Sequence, residues 1–141
     1  MATRVNYSSA PLGKQTVLSA DTTLFAKDSG TEYLLSNATG EVVTLPPVEP
    51  GLYFKFTVAS AFATDNWVID SSEGDNISGI IADMGTTVAV VVASAEDQIN
   101  FVASAETIGD YIELRPDAAG TGWIVNGVCG ANGGITATDP S

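Results

Sequence analysis

Apolar and polar residues alternate along several short runs of the chain: "EVVTL" at 41–45, "LYFKFTV" at 52–58, "NWVID" at 66–70, "QINFVA" at 98–103, "DYIELR" at 110–115 and "GWIVNGV" at 122–128. A period of two places successive side chains on opposite faces of a strand. Gly, Pro, Asn, Asp or Ser bounds each run, which is the punctuation of turns. The pattern predicts a single all-β domain, a small antiparallel β-barrel or β-sandwich of about eight to ten short strands. In the clearest run Leu52, Phe54, Phe56 and Val58 share one face and Tyr53, Lys55 and Thr57 the other, so the first set is assigned to the core.

Between the first two runs lies "PPVEPG". Proline fixes φ and has no N–H to give a ladder, so this segment is a stiff corner, with Pro50-Gly51 suited to a turn before the long strand. The run "TTVAVVVASA" at 86–95 differs from the others because both its faces are apolar: Val88, Val90 and Val92 on one, Ala89, Val91 and Ala93 on the other. Two readings fit, a central strand covered on both sides and a strand at a subunit interface. No helical period is sustained over 11 residues or more.

The first twenty residues lack sustained alternation and read as an extended N-terminal arm. Residues 21–128 form the β-domain, and 129–141, rich in Gly and Thr, read as a flexible tail. The arm holds Arg4 and Lys14, two of five cations on a chain with 17 acidic residues and a formal charge of −12. Such a field repels phosphate backbones and anionic lipid surfaces, so neither nucleic acid nor membrane is expected as a partner.

At 141 residues, with 45% hydrophobic residues and a mean hydropathy of +0.20, the chain is large and apolar enough for a real core. No run approaches the roughly 18 apolar residues of a membrane helix. The first fifteen residues contain no apolar secretory segment, and a single cysteine, Cys129, forms no internal disulfide, so synthesis in a reducing cytoplasm is expected. On that expectation the sequons at Asn37 and Asn76 arise by chance.

The chain contains no histidine, which removes Ser-His-Asp and Cys-His nucleophilic sites. Cys129 has no basic neighbour in sequence to lower its pKa and reads as a buried or incidental thiol. The densest acidic stretch, "DSSEGDN" with Asp70, Glu73, Asp75 and Asn76, has oxygen ligands at near-alternate positions but departs from the EF-hand spacing. The same residues close a turn through side-chain to backbone bonds, which is the reading favoured. "GANGG" and "AAGTGW" lack a Walker lysine and read as hairpin turns. Beyond Trp67 and Trp123 nothing suggests an aromatic platform for a sugar. No catalytic, cofactor or metal site is expected, and the protein is not expected to be an enzyme.

Taken together, "LSADTTLFAKDSGTEYLLSNATGEVVTLPPVEPGLYFKFTVAS", "VIDSSEGDNISGI" and "IGDYIELRPDAAGTGWIVNG" resemble a module of tailed-bacteriophage virion proteins, especially head decoration (cement) proteins and some fibre proteins. The resemblance covers about residues 18–127. It implies a homotrimer on the outer capsid surface that clamps neighbouring copies of the major capsid protein, and it implies localisation to the virion. Within that frame the two-faced apolar run places a trimer interface at Val88, Val90, Val91 and Val92. The arm, with Arg4, Val5, Asn6, Tyr7, Leu12 and Lys14, is expected to attach the domain to the capsid, since extended segments add strands to exposed sheet edges. The alternative is a fibre or tail adhesin module binding host glycans.

Overall fold

The computed structural model describes residues 14–140. It contains one short 3-10 helix, Ala26–Asp28, and twelve strands: β1 Lys14–Leu18, β2 Thr22–Thr23, β3 Thr31–Leu35, β4 Val42–Leu45, β5 Phe54–Val58, β6 Trp67–Ser71, β7 Ile77–Asp83, β8 Ala89–Glu96, β9 Gln98–Phe101, β10 Tyr111–Pro116, β11 Trp123–Cys129 and β12 Ile135–Thr138. The strands form a seven-stranded sheet, ordered β1-β3-β5-β10-β11-β7-β8, and a five-stranded sheet, ordered β12-β9-β6-β4-β2. The two sheets pack together as a sandwich, so the fold is all-β as the alternation predicts.

Both sheets are mixed, not wholly antiparallel as expected. From β1 to β6 the chain crosses the sandwich after every strand, odd strands entering the larger sheet and even strands the smaller. Each returning strand therefore runs in the same direction as its predecessor in that sheet. Parallel ladders join β1 to β3, β3 to β5, β2 to β4, β4 to β6 and β7 to β11. A parallel neighbour needs a crossover, and here a strand of the opposite sheet supplies it. Alternation encodes which face is buried; it carries no information on the direction of the neighbour.

The "PPVEPG" corner is one of these crossovers, leading from β4 in the smaller sheet to β5 in the larger. Its backbone is tied by Val48 N–H donating to Glu73 Oε1 at 2.8 Å. Behind it, Leu52, Phe54, Phe56 and Val58 are all buried, as their shared face requires. They meet Trp67, Ile69, Ile99, Phe101, Leu114 and Trp123 in one continuous core. Tyr33 stacks on Phe56 with ring centroids 5.5 Å apart. Each such side chain stabilises the fold by roughly 1.5–3 kcal/mol relative to exposure.

Three expectations need correction. Residues 14–18 do not belong to an extended arm: they form β1, an edge strand paired with β3, and Leu18 is buried. Lys14 is the first residue of that strand; Arg4, Val5, Asn6, Tyr7 and Leu12 lie outside the described residues. The C-terminal segment is not a flexible tail. β12 pairs antiparallel with β9, and Ile135 is wholly buried. Four residues suffice here because the glycines before them make the turn and the edge of the smaller sheet waits for a partner. Finally, the 86–95 run is not a central strand: β8 is the last strand of the larger sheet, paired on one side to β7.

Candidate interaction face

The β7–β8 hairpin carries a surface of unusual composition. In its register Ile80 lies opposite Val92 and Ala82 opposite Val90. Alternation puts Ser78, Ile80 and Ala82 of β7 and Val90, Val92 and Ser94 of β8 on the outer face of the sheet. Ile80 is 56% exposed, Val90 59% and Val92 66%, and at the tip Met84 and Val88 are 53% and 69% exposed. None of these residues is charged, on a chain whose net charge is −12. The inward face is ordinary core: Ala93 is buried and Val91 packs against the main cluster.

Thus three of the four valines assigned to an interface, Val88, Val90 and Val92, stand in solvent, while Val91 points inward. Ile80 and Met84 belong to the same surface and were not singled out from the sequence. The signal was the pair Ile80-Ile81, since two consecutive isoleucines in a strand must face opposite ways. Ile81 is fully buried and Ile80 is the one left outside.

Elsewhere the same face is mixed: Val17 on β1 is 61% exposed, and Leu34, Ile124 and Val128 are half-buried among polar neighbours. Glu32 on β3 accepts hydrogen bonds from Gln15 Nε2 at 2.7 Å and from Thr57 Oγ1 at 2.8 Å. Lys55 Nζ lies 3.8 Å from the same carboxylate and 4.7 Å from the Tyr111 ring centroid. The hydrogen bonds from Gln15 and Thr57, helped by the Lys55 charge, hold the Glu32 pKa below its ordinary value. The charged side chains of that face, Glu32, Lys55, Glu113 and Arg115, thus lie over β3, β5 and β10, and none occupies an outward position of β7 or β8.

The hairpin is shaped by local devices at both ends. At its base Ala95 has φ 57° and adds one residue to β8, a bulge whose N–H is satisfied by Ser78 Oγ at 2.9 Å. Gly79 lies against β11, where a Cβ would fall 1.9 Å from the Val125 carbonyl oxygen. At the tip Asp83 is nearly buried and its carboxylate accepts from the N–H groups of Gly133 at 2.9 Å and Gly85 at 3.1 Å and from Asn132 Nδ2 at 3.1 Å. The backbone bonds from Gly133 and Gly85 lower the Asp83 pKa. A second buried carboxylate, Asp110, accepts from Thr107 N–H and Gly130 N–H, each at 2.9 Å, and burial raises its pKa.

The "DSSEGDN" loop is a turn held by its own side chains. Asp70 accepts from Gln98 Nε2 at 2.8 Å, Glu73 accepts from the Val48 backbone, and Asn76 pairs with Ser71. Asn76 Nδ2 also donates to Glu73 Oε1 at 3.4 Å, while Asp70 and Asp75 have other partners. Asp75 instead meets two carboxylates distant in sequence, Asp97 and Asp139, with oxygens of all three within 4.8 Å of one another. The Asp139 charge, and then Asp97, raise the Asp75 pKa. Hard oxygen donors of this kind suit divalent cations, but exposed acidic groups also gather without one. Cys129 is buried, and burial raises its thiol pKa, so it is poorly suited to act as a nucleophile.

No protein-family model, no curated protein and no solved structure matches the chain.

Proposed function

We propose that the chain is a structural virion protein, a head decoration module that associates as a homotrimer through the outer face of the β7–β8 hairpin and binds the outer surface of the phage capsid. The observation that carries the reading is the uncharged apolar face formed by Ile80, Met84, Val88, Val90 and Val92 on a strongly acidic domain. Contiguous exposed apolar surface rimmed by polar residues is a mark of association. Scattered negative charge elsewhere leaves that face as the place where copies approach with least repulsion.

The capsid role takes its support from the motif resemblance and from a compact fold with short connections. In this reading the trimer sits across contacts between major capsid subunits and stabilises them by binding several at once. The test is decoration of capsids that lack the protein, prepared from the phage encoding it. Saturable binding of the purified full chain, with a rise in the temperature at which the capsids disrupt, is expected. No binding, together with only a handful of copies in purified virions, refutes the capsid role.

A further inference from the structure

The tip of the hairpin is held by one side chain from a distant part of the chain. Asn132 lies in the 130–134 loop between β11 and β12, and its carboxamide reaches across to the 84–88 turn. Its Nδ2 donates to Asp83 Oδ1 at 3.1 Å and to the Thr87 carbonyl oxygen at 2.7 Å. Its Oδ1 accepts from Thr86 Oγ1 at 2.9 Å and from Thr87 N–H at 3.2 Å. A carboxamide offers two N–H donors and two lone pairs, so all of its capacity is used on this turn. Gly85 passes so close that a Cβ there would lie 2.4 Å from Asn132 N.

We propose that Asn132 is a positioning residue for self-association, clamping the 84–88 turn so that Met84 and Val88 stay in line with Ile80, Val90 and Val92 as one preformed surface. The inference rests on the reading of that face as the trimer interface. Asn132 is itself exposed and adds nothing to the core, so its four bonds serve the turn and not the sandwich. Within its sheet the hairpin tip is supported from one side only, because β8 is the edge strand. A loose tip would have to be ordered at the moment of association, which weakens binding; a clamped one has already been ordered by folding. Neither aspartate nor alanine reproduces the set: aspartate donates nothing and would set a second carboxylate against Asp83, and alanine removes all four bonds.

The test uses the full chain as Asn132→Ala, Asn132→Asp and the milder Thr86→Val, which removes one of the four bonds from the other side. Sedimentation equilibrium gives the association constant, hydrogen exchange reports residues 84–92, and circular dichroism with urea unfolding reports the sandwich. The expected result for both Asn132 variants is association weakened about tenfold or more and faster exchange at 84–90, with the strand spectrum and cooperative unfolding retained. Thr86→Val shifts both readouts in the same direction by a smaller factor. Association within twofold of wild type in the Asn132 variants overturns the proposal, whether or not exchange at the tip accelerates. Val90→Glu separates the two ideas, since it spoils the face without touching the clamp. If Val90→Glu leaves the assembly intact, the interface reading fails and the positioning role falls with it; if it dissociates the assembly and the Asn132 variants do not, only the positioning role is wrong.

Discussion

Replacing Val90 with glutamate places a charge in the centre of the hairpin face, opposite Ala82 and beside Val88 and Val92. In the isolated domain the change is mild, because Val90 is 59% exposed and surface substitutions usually fall within about 0.5 kcal/mol, with up to about 1 kcal/mol for lost β-propensity. In an assembly it is severe. Five side chains that are 53–69% exposed in the single chain would complete their burial, and full burial of such a side chain is worth roughly 1.5–3 kcal/mol, so the face contributes about 5–9 kcal/mol per protomer. Association itself costs about 4–15 kcal/mol, the same order as that gain, so one buried, unpaired carboxylate at about 3–5 kcal/mol decides the balance against assembly. Sedimentation equilibrium over a concentration series should give three times the 14.5 kDa chain mass for wild type and a single-chain mass for Val90→Glu, with unchanged circular dichroism. A variant that keeps the wild-type mass, or a wild type that remains monomeric and does not assemble on capsids, refutes the reasoning.

Three further outcomes test the fold that presents the face. Ile135→Ala empties a wholly buried site on β12 and should lower stability by about 2–5 kcal/mol in urea unfolding, whereas a flexible tail would give no change. Gly79→Ala forces a Cβ to within 1.9 Å of the Val125 carbonyl at a φ of 152°, so a loss of at least about 2 kcal/mol is expected, and an unshifted thermal midpoint would show that β7 and β11 have room to separate. Asp83 has a lowered pKa in the folded chain, so it stabilises the fold above the ordinary carboxylate range, and that contribution disappears as pH falls through its own, lower pKa. The stability gap between wild type and Asp83→Asn should therefore be full at pH 7 and shrink progressively as pH falls below the ordinary carboxylate value of 3.8; a gap independent of pH would mean that the carboxylate charge is not what holds Gly85 and Gly133.

The parts of this fold legible in the sequence are those where one face is buried and the other is wet. β4, β5, β6, β9, β10 and β11 fall on the six alternating runs because their apolar residues recur at every second position on the face toward the opposite sheet; on β9 the intervening Asn100 is buried as well. β7 was hidden by Ser78-Gly79 and by adjacent isoleucines, which interrupt the period at the bulge and at the outward-facing apolar position. β12 was hidden by the glycines around it, whose use in a turn and in a loose tail looks the same from composition. Strand direction left no trace, since a parallel and an antiparallel neighbour impose the same inward-outward alternation.

The 86–95 run shows how far pattern reading reaches and where it stops. Two apolar faces on "TTVAVVVASA" mean that both require cover, and that much is physical. Whether the second cover is another layer of the same chain or a second molecule depends on position in the sheet, which is decided by pairings such as Ile80 with Val92 that no local run contains. Asn132 lies further still from such reading: in sequence "NGG" is a turn like any other, and its partners Asp83, Thr86 and Thr87 are 45 or more residues away. The same separation supports a functional reading of the clamp. Asp83 already closes part of the 84–88 turn locally by accepting from Gly85 N–H. Fastening it in addition to the β11–β12 loop would couple the order of the hairpin tip to the placement of the last strand of the sandwich. Incompletely folded copies of such an acidic protein would then repel one another by charge and lack the ordered tip of the surface that brings finished copies together.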